Sequence, residues 1–302
     1  MLRTPLRASR WLSDLVRGDV RLKLETLQPT FSYKVRGAFN AVLRLAAQAT
    51  AHRPELVTAS AGNHGRALAH AAHTCGMPLT VYVPARAPRV KLEAMRAEGA
   101  ALELCRDYDE AEARARRHAA SGTAIFISPY AHPDVIAGAG TVGLEIIEDW
   151  PEVDTIVAAV GGGGLLAGIA LATAEASRPV AVIGVEAEAS SPFTASLAAG
   201  RIVRVDVQPT LADGLAGNLD PDTPTFAVIR TRVREIACVT EPELRQAVAG
   251  VLRHERLIAE GAGAAAVAAL VAGRLRTSGQ RVAVVLTGAN IDEEVLTEIL
   301  AE

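Results

Sequence analysis

The sequence predicts an α/β fold with mostly parallel sheets, arranged as two lobes. Short β-branched runs alternate along the chain with alanine-rich stretches of helical periodicity, which is the pattern of strands connected by covering helices. Half of the 302 residues are hydrophobic but only 4% are aromatic, a composition typical of parallel strands buried on both faces. Because single hydrophobic cores stop growing near this length, we expect two lobes rather than one.

Strands and helices can be assigned in order from this alternation. The strand segments are nearly continuous apolar runs, and they are Val20–Leu24, Leu56–Thr58, Leu79–Val83, Ala101–Leu104, Ala124–Ile127, Asp154–Val160, Val180–Val185 and Val282–Leu286. The helical segments repeat apolar residues at helical spacing, and they are Asn63–Cys75, Pro88–Glu98, Asp109–Ala120, Pro133–Asp149, Leu165–Ala176, Glu241–His254 and Ala262–Gly273.

The strand–helix units between residues 55 and 131 form a compact group. We therefore predict a small domain of residues 55–131, inserted into a large domain of residues 1–54 and 132–302. Ligands of such folds bind where the carboxyl ends of strands meet the N-termini of helices, at a switch point or between lobes. Motifs at these junctions are the candidates for function.

Charge and composition exclude several classes of partner. The net charge is −3 without a basic stripe, so nucleic acid is not expected as a partner. The sequence contains no uncharged apolar run of about 20 residues, so no membrane span is expected, and the N-terminus lacks the apolar run of a signal peptide. Cys75, Cys105 and Cys238 are odd in number and far apart, which indicates a reducing compartment, the cytoplasm.

A run of four glycines, Gly161 to Gly164, ends one predicted strand and opens the next helix. Consecutive glycines let successive N–H groups point into one concavity, and the helix N-terminus adds positive charge, so the run predicts a phosphate cradle. A tight turn alone would need only one or two glycines. The spacing from Gly162 to Ala167, with Glu186 about 20 residues further on, also fits a dinucleotide fingerprint. A nicotinamide oxidoreductase is therefore a competing hypothesis.

Lys34 lies in the stretch Ser32–Ala38 (SYKVRGA), just after a strand and ahead of an apolar helix. A lysine that is partly desolvated at such a junction has a lowered pKa and a nucleophilic amine. A solvated surface charge is the ordinary alternative for any single lysine.

Two further junctions carry polar groups. In Thr58–Gly65 (TASAGNHG), the side chains of Ser60, Asn63 and His64 stand at a helix N-terminus and suit a carboxylate, although a simple helix cap explains them equally well. Thr287 follows the last strand and can face the same sheet edge as the glycine run.

In this order and spacing, the motifs SYKVRGA, SAGNHG, GGGG and LTGAN resemble the fold-type II pyridoxal-phosphate enzymes, the tryptophan-synthase-β-like family. The resemblance runs from about Leu6 to Asn290 and is strongest to the serine/threonine dehydratase and serine racemase branch. The ordered set is far more specific than any one motif. A dinucleotide fold usually begins with its glycine loop, whereas here more than half of the chain precedes it.

The resemblance implies a two-lobed enzyme with pyridoxal 5'-phosphate as its cofactor, and it implies a role for each motif residue. Lys34 would bind the cofactor aldehyde, with Tyr33 near the ring. The other cofactor-binding residues would be Asn63 at the ring hydroxyl, Gly161, Gly162, Gly163 and Gly164 at the phosphate, and Thr287 at the pyridine nitrogen. The pocket for the substrate carboxylate would be lined by Ser60, Ala61, Gly62 and His64.

The implied activity is a dehydratase (ammonia-lyase) reaction, in which Lys34 removes the α-proton and the β-hydroxyl is eliminated. L-threonine and L-serine are the expected small substrates, and a 2-oxo acid and ammonia the products. Ala61 stands where racemases of this group carry a second, base-acting serine, so racemisation is expected to be the lesser activity. Phe31 replaces the usual glycine before Ser32, which leaves phenylserine, hydroxyaspartate and hydroxyectoine-pathway intermediates open as substrates.

The resemblance also has implications for metal binding, for the oligomeric state and for whether the protein is catalytic. Some relatives bind a divalent cation beside the strand after the glycine loop. Glu186 occupies the first ligand position, but Pro192 occupies a later carboxylate position, so we expect no metal, since hard cations need several oxygen ligands. A homodimer is expected, as is common in the family. A non-catalytic binding or regulatory protein is disfavoured because Lys34, Asn63 and Thr287 are all present.

Overall fold

A computed structural model describes residues 1–48, 53–87 and 89–302 of the chain. It confirms the α/β class, with two sheets whose strands are almost all parallel. The strands are β1 (Leu6–Ala8), β2 (Asp19–Leu24), β3 (Glu55–Ala59), β4 (Leu79–Pro84), β5 (Ala101–Cys105), β6 (Ala124–Phe126), β7 (Thr155–Ala159), β8 (Ala181–Ala187), β9 (Glu235–Val239) and β10 (Arg281–Leu286).

The helices connect these strands and cover the sheets. They are α1 (Arg10–Val16), α2 (Lys34–Gln48), α3 (Asn63–Cys75), α4 (Arg89–Ala97), α5 (Tyr108–Ala120), α6 (Pro133–Asp149), α7 (Gly164–Ala172), α8 (Pro192–Ala199), α9 (Pro224–Arg232), α10 (Glu241–Gly250), α11 (Gly261–Val271) and α12 (Glu293–Ala301). A π-helical turn, Val251–Glu255, extends α10. Pro88, the first residue of one predicted helix, lies outside the described residues. Along the described chain, we find no helix with both the length and the apolarity that a membrane crossing requires.

One compact unit comprises residues 2–33 and 140–302. Its six-stranded sheet has the order β1-β2-β10-β7-β8-β9, and only β1 runs antiparallel to its neighbour. The central strands β7 and β10 pair in parallel from Thr155 and Val282 onward, so their carboxyl ends lie at the same edge of the sheet. Eight of the eleven residues of helix α11 are glycine or alanine, which lets it pack closely on β7, β8 and β10 with nearly every residue buried.

The other compact unit comprises residues 34–139. Its four parallel strands have the order β5-β4-β3-β6, and α2 packs against α3 on this sheet. The unit therefore holds the whole predicted insert of residues 55–131 together with flanking helix on both sides. Helix α2 belongs to it because its apolar face, which includes Val35, Ala38 and Val42, is buried in the same core as α3.

Candidate active site

The glycine run forms the turn between β7 and α7. Gly163 has φ +87 and is the N-cap of α7. A Cβ at Gly163 would lie 2.6 Å from Phe193 Cζ and 2.8 Å from Ile229 Cδ1, and one at Gly161 would lie 3.0 Å from Leu215 Cα. Both the backbone conformation and the lack of space therefore require glycine at position 163.

The backbone N–H groups of this turn are available to a ligand. The Thr225 hydroxyl donates to the carbonyl oxygen of Gly162 at 2.9 Å, which fixes that peptide group. The N–H groups of Gly161 to Gly164 make no hydrogen bond to any other residue that the structure describes. These free donors stand at the positive end of α7, so the turn is suited to a phosphate or another small anion.

Thr287 lies at the end of β10, beside the glycine turn at the end of the neighbouring β7. Its side chain is buried, and its hydroxyl donates to the carbonyl oxygen of Ala262 at 3.4 Å. The Thr287 carbonyl oxygen accepts a hydrogen bond from the Tyr33 N–H at 3.0 Å, and Ser32 pairs with Gly288 in an isolated bridge. The residues directly before Lys34 are thus fastened to this edge of the six-stranded sheet.

Lys34 is the first residue of α2, and its ammonium is held by the backbone. Its Nζ donates to the carbonyl oxygen of Pro129 at 2.9 Å, and the side chain is half-buried. A ligand that takes over this hydrogen bond leaves behind a carbonyl group, which is neutral.

The loop before α3 is shaped by Ser60. The Ser60 hydroxyl accepts hydrogen bonds from the N–H groups of Gly62 at 3.3 Å and Gly65 at 3.1 Å, so it closes the turn onto itself. Gly62 is the N-cap of α3, without a side-chain cap, and Asn63 is the first helical residue. Ala61, also in this loop, offers no polar side-chain atom.

His64 is a buried neutral histidine with one unused nitrogen. Burial, with a smaller contribution from the charges of Lys34 and His132, lowers the pKa of His64 to about 3. Its Nε2 lies 3.2 Å from the carbonyl oxygen of Ile127, whereas Nδ1 has no partner among the described residues. In the tautomer assigned from this bond, Nε2–H donates and Nδ1 accepts. The ring therefore offers an acceptor, suited to a hydroxyl or an amine, and not the N–H that a carboxylate would need.

Sequence reasoning missed the residues that shape the glycine turn from a distance. Thr225 and Phe193 are distant from the turn in sequence, and neither belongs to a recognisable motif. The segment Ile127–His132, which contacts both Lys34 and His64, was also missed. Its position after β6, at a strand-to-helix junction, was the one signal that could have indicated it.

Comparisons with known proteins show the family and the fold. A family model described as "Pyridoxal-phosphate dependent enzyme" matches residues 1–288. The chain is 41% identical to the L-threonine ammonia-lyase of Thermotoga maritima, over 99% of this chain and 74% of the relative. It is 36% identical to the L-threo-3-hydroxyaspartate ammonia-lyase of Pseudomonas sp, over 99% of this chain and 93% of the relative.

A solved structure of similar fold is that of the processed form of threonine deaminase isoform 2 from Solanum lycopersicum. It superposes with a TM-score of 0.91 at 30% identity, and the match covers 99% of this chain and 83% of that one.

Proposed function

Because the chain belongs to the pyridoxal-phosphate dependent enzyme family, we propose that it is a dehydratase (ammonia-lyase) of small β-hydroxy amino acids. L-threonine and L-serine are the proposed substrates, and a 2-oxo acid and ammonia the products. One structural observation carries the proposal: a neutral hydroxyl, that of Thr287, ends the strand beside the glycine turn. Relatives of this chain with 35–41% identity carry the same activity in their names.

The residues present fit pyridoxal 5'-phosphate. Four free N–H groups at a helix N-terminus, Gly161 to Gly164, suit its phosphate. The half-buried Lys34 amine suits its aldehyde, and the Thr287 hydroxyl suits its ring nitrogen. We assign Tyr33 and Asn63 to its ring on the resemblance of their motifs.

The cofactor, when bound, supplies an electron sink that makes the α-hydrogen of an attached amino acid acidic. The Lys34 amine would take up this proton at Nζ as a general base, and the Pro129 carbonyl oxygen would orient the amine. Thr287 can hydrogen-bond a ring nitrogen through Oγ1 without adding a negative charge. With a neutral partner at the ring nitrogen, the negative charge left by removal of the α-proton would be less delocalised into the ring. Loss of the β-leaving group would then compete well with transamination.

The substrate pocket is assigned to Ser60, Ala61, Gly62 and His64. The Ser60 oxygen accepts from the N–H groups of Gly62 and Gly65, and its own O–H is not used in these bonds. We therefore propose that the Ser60 hydroxyl and the N–H groups of this loop that Ser60 does not engage bind the substrate carboxylate. The unpartnered Nδ1 of His64 would then accept a hydrogen bond from a substrate hydroxyl or amine. Ala61 has no proton-transferring group, which supports elimination over racemisation.

Family membership removes the nicotinamide oxidoreductase, because it explains the glycine turn by another cofactor. Hydroxyaspartate stays open as a substrate, since a relative at 36% identity is named for it. We further propose that the enzyme acts in the cytoplasm as a homodimer; the three free cysteines support a reducing compartment, and the resemblance supports the dimer.

The test combines cofactor binding with product release. Purified protein should show an absorbance band at about 410 nm, as expected for this cofactor on a lysine. It should also release a 2-oxo acid from one member of a panel of L- and D-serine, threonine, phenylserine and 3-hydroxyaspartate. Lys34→Ala should abolish release. A band without release from any substrate, or turnover retained in Lys34→Ala with cofactor bound, would contradict the proposal.

A further inference from the structure

Glu186 is a fully buried carboxylate near the end of β8, the strand next to β7. Burying a charge is costly unless it is hydrogen-bonded. Three donors meet it: the N–H of Phe193 at 2.8 Å, the N–H of Thr194 at 2.9 Å and the Thr194 hydroxyl at 2.7 Å. Burial raises the pKa of Glu186, and these hydrogen bonds oppose that shift.

These donors belong to the first turn of α8. Ser191, the N-cap of this helix, makes no side-chain capping bond, so Glu186 supplies from β8 what a capping side chain would otherwise provide. A carboxylate at a helix N-terminus is also favoured by the helix dipole. The position of the α8 N-terminus is therefore fixed by one buried side chain on the sheet.

Helix α8 contacts the glycine turn through the side chain of Phe193. The Phe193 ring is fully buried, and a Cβ at Gly163 would meet its Cζ at 2.6 Å and its Cε2 at 3.0 Å. The ring thus lies directly against the residue with positive φ that caps α7. From Glu186 to Gly163 there are two contacts, and both lie within one compact unit.

We propose that Glu186 is a positioning residue for the phosphate-binding turn, acting by holding α8 and, through Phe193, the shape of Gly163. The inference rests on the proposed function, in which this turn binds the cofactor phosphate. Some relatives bind a divalent cation beside this strand (β8). In this chain, we infer that the N-terminus of α8 occupies the position of that cation beside Glu186. The acceptor oxygens of Glu186 are already engaged by three donors, and Pro192 offers no side-chain oxygen.

The test measures cofactor affinity directly, by titrating cofactor-free protein with pyridoxal 5'-phosphate. Glu186→Gln keeps the shape but turns an amide NH2 toward donors, so at least one hydrogen bond is lost. Phe193→Leu leaves the cap intact and removes the ring from Gly163. We expect each variant to raise the Kd by about tenfold or more, and to shift the phosphorus NMR signal of the bound cofactor.

Glu255→Gln is the matched control. Glu255 is also buried and also accepts hydrogen bonds, from Ser9 and Arg7 at 2.6 and 2.7 Å, and these partners lie in β1 and directly before α1, not in α8. This variant should lose thermal stability with an unchanged Kd and phosphorus signal. If Glu186→Gln behaves in the same way, Glu186 is only structural and the inference is wrong.

Two further outcomes separate the inference from its premise. If Mg²⁺ makes the wild-type protein bind the cofactor more tightly, the inference that the N-terminus of α8 takes the place of a cation is wrong. Wild-type protein that binds no cofactor phosphate would contradict the proposed function itself. If Glu186→Gln fails to fold, Phe193→Leu with an unchanged Kd suffices to reject the inference.

Discussion

Phe31 adopts a backbone conformation that favours glycine. Its φ is +56, and both of its backbone polar groups are tied down. Its N–H donates to the Gln28 carbonyl oxygen at 2.7 Å, and its carbonyl oxygen accepts from the Ala289 N–H at 2.9 Å. The left-handed region costs a residue with a Cβ about 1–2 kcal/mol. This explains why glycine is the usual residue before Ser32 in the family that the motifs resemble.

We therefore expect Phe31→Gly to be more stable than Phe31→Ala by about 1 kcal/mol, since both lose the ring but only glycine relieves the strain. Leu43 is the control, because it is similarly exposed but lies inside helix α2. There Leu43→Ala should be more stable than Leu43→Gly by about 1 kcal/mol. Urea denaturation of the four variants measures both differences. The same order at the two positions would contradict the strain argument.

His64 couples stability to pH in a predictable direction. Its pKa is lowered from 6.5 to about 3 in the folded chain. Between these values the unfolded chain binds more protons than the folded one, so the free energy of unfolding rises with pH. The contribution of His64 is complete above pH 6.5 and is lost as the pH falls from 6.5 toward 3.

Replacing the ring isolates this contribution. In the cofactor-free wild type, we expect His64 to contribute a slope of up to about 1.4 kcal/mol per pH unit across that window. His64→Asn should have a correspondingly flatter profile, whatever its absolute stability. Urea denaturation at a series of pH values gives both slopes. Equal slopes would show that His64 does not titrate as the structure indicates.

At the scale of elements, all four strands of the four-stranded sheet were predicted, including its edge strands β5 and β6, whereas the two edge strands of the six-stranded sheet were missed. Strands β7 and β10 are buried on both faces and read as continuous apolar runs. The missed strands are β1, with three residues, and β9, which starts with the exposed Glu235. Both lie at the edges of the six-stranded sheet and are only partly buried, and neither forms the long continuous apolar run of a strand that is buried on both faces.

Helix α10 shows a different limit. The predicted helix Glu241–His254 is α-helical only to Gly250 and continues as the π-helical turn Val251–Glu255. A Cβ at Gly250 would lie 2.5 Å from the Trp11 ring, so a residue far away in sequence packs at the transition. Helical periodicity does not encode such a tertiary contact.

In the candidate site too, residues in local motifs could be identified from the sequence, and residues that act through tertiary contacts could not. The glycine run, Lys34 and Thr287 carry their chemistry in local motifs, and each lies at a strand-to-helix junction as expected. Glu186 attracted notice only as a nucleotide or metal ligand, because its bonds to α8 depend on chain packing. Phe193 and Thr225 support the turn through contacts between residues that are 30 or more positions apart in the sequence, and nothing in the local sequence identifies them.

At the scale of the whole molecule, cofactor binding should increase the free energy of unfolding by mass action. A ligand that binds only the folded chain adds about 2.7 kcal/mol to the free energy of unfolding at a hundredfold excess over its Kd. If the glycine turn holds the phosphate, this gain depends on the shape of that turn. Gly163 and Gly200 both have positive φ, but a Cβ at Gly163 would strike Phe193 whereas one at Gly200 meets nothing within 4 Å.

The pair Gly163→Ala and Gly200→Ala therefore separates backbone strain from cofactor binding. Both should destabilise the cofactor-free protein, because alanine is strained at either position. Gly200→Ala should still gain about 2.7 kcal/mol from cofactor at a hundredfold excess over the wild-type Kd. Gly163→Ala should gain little at the same concentration, since the displaced turn no longer presents its N–H groups to the phosphate. Thermal denaturation with and without pyridoxal 5'-phosphate measures both gains, and an undiminished gain in Gly163→Ala would place the phosphate elsewhere on the protein.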